Sequence, residues 1–216
     1  MSQVQKCDVK KCRGRPKMFD REAALDKALN LFWTHGYEGT SLADLVAATG
    51  AKAPTLYAEF VNKEGLFRAA MERYVETFSA WREAALSDDQ LPVDQSIEGY
   101  FRATAACFTE RDSPGGCFFI CTSTALSAAS SEIATMLQQQ HQSQEHVLRD
   151  FLLARQLRGE LSASVNIAAL SRYLGCMLQG MSVRAREGVE RDDLDSIIDT
   201  LMGMWPTLTG LCQVKC

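Results

Sequence analysis

Between Lys52 and Glu59 the chain sets out side chains suited to holding a nucleic-acid strand: Lys52, Ala53, Pro54, Thr55 and Tyr57, with Glu59 beside them. The hydroxyls of Thr55 and Tyr57 can bond phosphate oxygens, Lys52 supplies charge, and Ala53 or Pro54 can offer apolar contact to a thymine methyl. Tyr57 has a competing reading as a partly buried core aromatic. Few of these groups can make two-pronged base contacts, so part of any sequence preference falls to DNA shape and to a flanking arm. A second chemistry lies in the thiols. Cys117 and Cys121 stand four apart, so both can face one side of a helix, and Cys107, Cys176, Met177 and Met181 can complete a soft sulfur site. Such a site suits copper(I) better than magnesium or calcium. The competing readings are buried cysteines as small hydrophobes and thiol oxidation as a signal.

The first set of side chains needs a rigid helix to present it, and the surrounding residues specify one. Ser41 can cap a helix start and Asp44, three residues on, suits its positive end. Leu42, Leu45 and Val46 form an apolar stripe, and Gly50 can take the left-handed conformation that closes the helix near Thr49. Pro54 then fits the first turn of a second helix, about Ala53 to Phe60, which buries Leu56 and Phe60. Two short helices across a tight Gly-containing turn make a helix-turn-helix, whose second helix is sized for the DNA major groove. An earlier helix capped by Asp20 and ending near Gly36 supports the pair through Ala24, Leu25, Ala28, Leu29 and Phe32. His35 reads as a residue of that helix end, where a cation is favoured.

Charge distribution agrees with a nucleic-acid partner better than net charge does. The 216 residues carry −4 overall, but Lys6, Lys10, Lys11, Arg13, Arg15 and Lys17 against Asp8 leave residues 1–17 at +5 and the remainder at −9. A basic arm on an acidic body concentrates attraction for phosphate at one end. Gly14 and Pro16 keep this arm extended, and Arg13 and Arg15 can lie in the minor groove or contact phosphate without sequence preference. No apolar run reaches the length of a membrane span, and the first residues lack the apolar core of a secretory signal, so a cytoplasmic location with no membrane partner is expected. Eight cysteines are many for that compartment. Cys7 and Cys12 have no second Cys/His pair at zinc-finger spacing.

Thr40-Ser41-Leu42, Pro54-Thr55-Leu56-Tyr57 with Phe60, and Asn62-Lys63-Glu64-Gly65-Leu66-Phe67 occur in one order over about Phe19 to Tyr74. In this the chain resembles the TetR family of bacterial transcription repressors. The resemblance implies phosphate contacts from Thr40 or Ser41, Tyr57 and Lys63, the last also favoured by the free amides of a helix start. It implies that the helix from Glu64 to about Ser87 is a lever whose displacement changes the separation of two reading heads. RGRPKMFDREAALDKALNLFW, GAKAPTLYAEFVNKEGLF and GCFFI further resemble a subgroup that includes a copper-responsive repressor. No ligand motif carries over from it, so the metal-binding residues stay unassigned.

The expected fold is all-α: the arm, residues 1–17; a three-helix helix-turn-helix domain, 18–64, with its motif at 41–60; and a larger helical effector-binding and dimerisation domain, 65–216. Within the latter, turn formers at 87–93 form a linker, and helices are expected near Asp94 to Glu110, Gly116 to Ala129, Ser131 to Arg158, Val165 to Glu187 and Asp192 to Leu208. QQQHQSQEH reads as a solvated face, and His141 and His146 are too far out of phase to stack as ligands. Leu170, Leu174, Met177, Leu178 and Met181 make one stripe, and Ile197, Leu201 and Trp205 another. These stripes either complete the core or dock on their copies in a four-helix homodimer interface, the arrangement the family uses. A symmetric dimer would match a pseudo-palindromic double-stranded operator.

The candidate effector lining is Phe101, Cys107, Phe108, Cys117, Phe118, Cys121, Met136, Tyr173, Cys176 and Met177, most of which would be ordinary core without a ligand. No cofactor is required for this reading, with a small molecule or copper(I) as effector. The alternative is a cytoplasmic thiol enzyme or thiol redox sensor, but no cysteine sits in a nucleophile motif and no nucleotide-binding glycine loop occurs.

Overall fold

A computed structural model describes residues 19–123, 126 and 130–210, and no strand forms among them. Helix α1 (Arg21–Gly39) starts where the Asp20 carboxylate accepts the Ala23 amide at 3.0 Å, and it breaks at Gly36, whose φ is +74°. Helix α2 (Leu42–Thr49) and helix α3 (Ala53–Phe60) are joined by a turn in which Gly50 has φ +69°. The start of α1 and the boundaries of α2 and α3 follow the cap and turn residues anticipated from the sequence, while α1 continues past the expected end near Gly36 to Gly39.

From Lys63 to Leu86 the backbone stays helical but not uniformly so. Helix α4 (Lys63–Tyr74) passes through a π-helical turn, Val75–Ser79, into α5 (Ala80–Glu83) and a 3-10 turn, Ala84–Leu86. The uniform α-helix expected there is thus interrupted. The body continues with α6 (Val93–Phe108), α7 (Phe118–Ser123), α8 (Ser131–Leu157), α9 (Ile167–Arg186) and α10 (Arg191–Leu208). α7 is shorter than the Gly116–Ala129 expectation, and part of that stretch lies outside the described residues.

An aromatic cluster joins head and body. Trp33 of α1 meets Tyr74 edge-on at 5.1 Å between ring centroids and Phe118 of α7 at 6.3 Å, while Phe67 meets Phe118 at 5.5 Å. All four residues are buried, and fully buried aromatics dominate core energetics. The core therefore runs unbroken across residues 64 and 65. α7 is held close to α9 because the Cys117 amide donates to the Ser182 hydroxyl at 2.7 Å, and a side chain at Gly116 would run into the Ser182 carbonyl.

Candidate nucleic-acid interface and effector body

The reading head is built by caps. Ser41 and Asp44 close a reciprocal capping box: the Asp44 amide donates to the Ser41 hydroxyl at 3.2 Å, and the Ser41 amide donates to the Asp44 carboxylate at 2.9 Å. These bonds with Ser41 hold the Asp44 carboxyl below its ordinary value. Ser41 remains exposed at the helix start. Pro54 sits in the first turn of α3, where its missing N–H costs nothing.

Around α3 the side chains divide as the spacing requires. Leu56 and Phe60 are buried, whereas Lys52, Pro54, Tyr57 and Ala58 are exposed and Ala53 and Thr55 are half-buried. Tyr57 is 44% exposed, which decides against its reading as a core aromatic. Ala58 belongs to the same outward face and was not singled out from the sequence. Glu59 is engaged by Arg21, whose Nε donates to it at 2.7 Å. The turn into α4 is tight: Val61 has φ +67°, Asn62 accepts the Gly65 amide at 2.7 Å, and a Cβ at Gly65 would collide with the Phe60 carbonyl. That turn sets the start of α4 against the end of α3.

Of the alternatives Thr40 or Ser41 the structure leaves Ser41 outside, and it half-buries Lys63. Thr40 is fully buried, and its hydroxyl donates to the carbonyls of Gly36 at 2.8 Å and Leu31 at 3.3 Å. Its side chain therefore closes the broken end of α1 and is withdrawn from phosphate, because the break at Gly36 leaves carbonyls that need a donor. Lys63 is half-buried with its Nζ 4.3 Å from the centre of the Tyr37 ring, and burial lowers its ammonium pKa. Arg13 and Arg15 lie outside the described residues. Residues 19–64 contain four basic and seven acidic residues, a net of −3, so the folded head alone has little general attraction for phosphate.

In the body, the ten candidate effector residues are not brought to one cavity. Phe101, Cys107, Phe108, Cys117 and Phe118 are buried in the core, and burial pushes the Cys107 thiol up to about 11. Cys121 is half-buried, 3.9 Å from the Ser182 hydroxyl. Met136 is buried beside a cavity of about 480 Å³ between the lever and α8. Tyr173 and Cys176 are exposed on α9, and Met177 is half-buried. Cys176 borders a different cavity, of about 370 Å³, with His141 of α8. His141 is half-buried there and burial lowers its pKa, which corrects the solvated reading for that residue. Among the described residues no three His, Cys, Asp or Glu side chains are grouped to hold a metal ion. The proposed sulfur set is split because Cys176 faces outward while Met181, five residues on, faces the core.

The proposed dimer stripes are also corrected. Leu170, Leu174, Leu178, Met181, Leu201 and Trp205 are buried within their own chain, with Met177 and Ile197 half-buried. They pack the two helices onto the body. The opposite faces carry a second, sparser stripe: Ala169, Tyr173, Gly180 and Val183 on α9 with Gly203 and Met204 on α10, all exposed.

The model of bacterial regulatory proteins of the tetR family matches residues 24–70, and that of the tetracyclin repressor-like C-terminal domain matches residues 95–201. The HTH-type transcriptional repressor ComR of Escherichia coli (strain K12) is 54% identical over 200 residues, 93% of this chain and 95% of that protein. The HTH-type transcriptional repressor BdcR of the same strain is 26% identical, covering 81% of this chain and 83% of its own. Among solved structures, a cysteine mutant of the TetR family transcriptional regulator CifR, complexed with 26bp double-strand operator DNA, superposes with a TM-score of 0.84. It is 30% identical, covering 89% of this chain and all of that one.

Proposed function

The chain belongs to the TetR family of bacterial regulatory proteins, and from that we propose a homodimeric repressor that leaves its operator when a small effector binds the body. Its relatives are transcriptional regulators and not enzymes. The observation that carries the DNA contact is the division of α3, with Leu56 and Phe60 anchored in the core and Lys52, Pro54, Tyr57 and Ala58 left outside. The basic arm supplies the phosphate attraction that the acidic head lacks. No helix among the described residues is long and apolar enough to cross a membrane, and action on DNA in the cytoplasm is part of this reading.

Dimerisation through the outward faces of α9 and α10 would place two heads on a pseudo-palindrome. Gly180 and Gly203 there permit close approach of helices, and Tyr173, Val183 and Met204 are apolar groups left without cover in one chain. Release follows if the effector prefers a head spacing that no longer fits the DNA. A coupling of about 1 to 3 kcal/mol changes operator affinity roughly five- to 150-fold. The Trp33–Phe118 contact joins α7 to α1 and so supports a path for such movement between body and head.

The test is selection of bound sequences from random duplex DNA by the full chain, repeated with copper(I) under reducing conditions. Enrichment of a pseudo-palindrome supports the repressor, and enrichment of no sequence removes it. Loss of the bound pool on adding copper(I) would support that ion as effector; unchanged affinity would retire it.

A further inference from the structure

Arg82 of α5 is 2% exposed and forms no ion pair with any described carboxylate. Its Nη2 makes a long hydrogen bond to the Ser79 hydroxyl at 3.4 Å, a further polar neighbour is the neutral Tyr100 hydroxyl, and its Nε has no partner. The guanidinium lies 6.0 Å from the centre of the Tyr100 ring. A guanidinium stays charged at any ordinary pH, and an uncompensated buried charge is costly to keep.

The neighbours do not supply the missing anion. Burial raises the pKa values of the Tyr74 and Tyr100 hydroxyls and of the Cys107 thiol, so all three remain neutral near pH 7. They are, however, donors or adaptable polar groups. The Ser96 hydroxyl is buried without a hydrogen-bond partner, and the buried Tyr74 hydroxyl has only the Cys117 thiol beside it. Ser96, Tyr100 and Cys107 fall on one face of α6 by helical spacing, and this helix packs on the segment that carries Arg82. Around these groups the core is aromatic, with Phe101, Phe108 and Phe118 all buried.

We propose that Arg82 anchors the acid group of the effector, an organic monocarboxylate with an apolar tail, held between the lever and α6. The inference rests on the effector-released repressor described above and names the class of its ligand. A carboxylate accepts two bonds from one guanidinium, the geometry for which arginine is best suited. The Tyr74 and Ser96 hydroxyls are donors of the kind that would complete its shell, and the tail would have to open space among the buried Phe101, Phe108 and Phe118, which ties its binding to a rearrangement of the core. Arg82 and Tyr74 flank the π-helical turn Val75–Ser79, a local irregularity of the kind often found at functional sites. An anion that draws Arg82 toward α6 acts directly on the helix that leads to the head.

The full-length protein is tested with hexanoate, decanoate and benzoate, each beside its primary amide, by thermal unfolding without DNA and by operator affinity. At least one carboxylate should raise the melting temperature and weaken operator binding about fivefold or more, while its amide does neither. Arg82→Met should bind operator as wild type does and melt above it without ligand, because the unpaired charge is gone. It should ignore the carboxylate, and Arg82→Lys should keep part of the response. Equal responses in wild type and Arg82→Met, or no response to any of the three acids, would overturn the proposal. The thermal measurement needs no DNA, so loss of operator binding in wild type would count against the repressor and not against the anion site.

Discussion

Arg186, in the last turn of α9, donates to the carbonyl of Thr34 in α1 at 2.6 Å, and its other Nη donates to the Pro114 carbonyl at 2.8 Å. One guanidinium thus clips the far part of the body to the helix that supports the reading head. The Thr34 carbonyl lies where α1 breaks at Gly36, and basic groups near a helix end satisfy such carbonyls well. Arg186→Met should lower stability by about 1 kcal/mol, discounted because the Thr34 contact is exposed. It should also shrink the loss of operator affinity that an effector produces. Denaturant unfolding together with operator titration checks both, and a variant unchanged in both would show that the clip carries no coupling.

Thr40 separates a structural hydroxyl from a phosphate contact. Thr40→Val should cost about 1 to 2 kcal/mol by leaving the Gly36 and Leu31 carbonyls without their donor. The salt dependence of DNA binding by the folded variant should match wild type, whereas Lys52→Ala should reduce the salt slope by about one unit. A Thr40→Val slope as shallow as that of Lys52→Ala would return Thr40 to the phosphate contacts.

Glu64, in the first turn of α4, and Glu132, in the first turn of α8, lie close enough that their side-chain interaction raises the Glu64 pKa, with Arg68 opposing. A carboxyl whose folded value is raised contributes stability that is fully present below the unfolded value and is lost as pH rises through the folded one. Stability should therefore fall slightly as pH climbs upward from about 4.3, the ordinary glutamate value. Glu132→Gln should flatten that decline. Unfolding midpoints taken from pH 4 to 7 test it, and identical profiles would remove Glu132 as the cause.

The two faces of α9 should respond differently to substitution. Val183→Glu or Tyr173→Glu, on the outward face, should convert a dimer to monomer while leaving the monomer folded. Leu174→Ala, fully buried, should instead cost about 2 to 5 kcal/mol of stability. Sedimentation with circular dichroism distinguishes these outcomes. A dimer that survives both charged substitutions would place the interface elsewhere.

The elements were legible wherever a residue type has one local use. Asp20, Ser41, Gly50 and Pro54 act at helix ends through their own backbone chemistry, and the structure has them there; the Asn62 cap came only with the structure. Direction in space was harder to read. Leu170, Leu174 and Leu178 announce a stripe, but periodicity does not say whether the stripe meets its own chain or another. Thr40 could serve a phosphate or a carbonyl with the same hydroxyl, and only the break at Gly36 decides. Arg82 gave no signal, because a basic residue in a helix ordinarily faces solvent. Its burial depends on α6 arriving from elsewhere in the chain. The cysteine grouping failed for the same reason: i, i+4 spacing describes one helix, while a binding site needs several helices to converge.

The most direct measurement of the α3 assignment is the salt dependence of binding to the selected duplex for wild type and Tyr57→Ala, with both shown folded. Wild type should lose affinity linearly on logarithmic axes as salt rises, and Tyr57→Ala should bind at least about tenfold more weakly at each salt concentration, the effect of roughly 1.4 kcal/mol. Equal affinity of the two proteins across the series would contradict the placement of α3 against DNA.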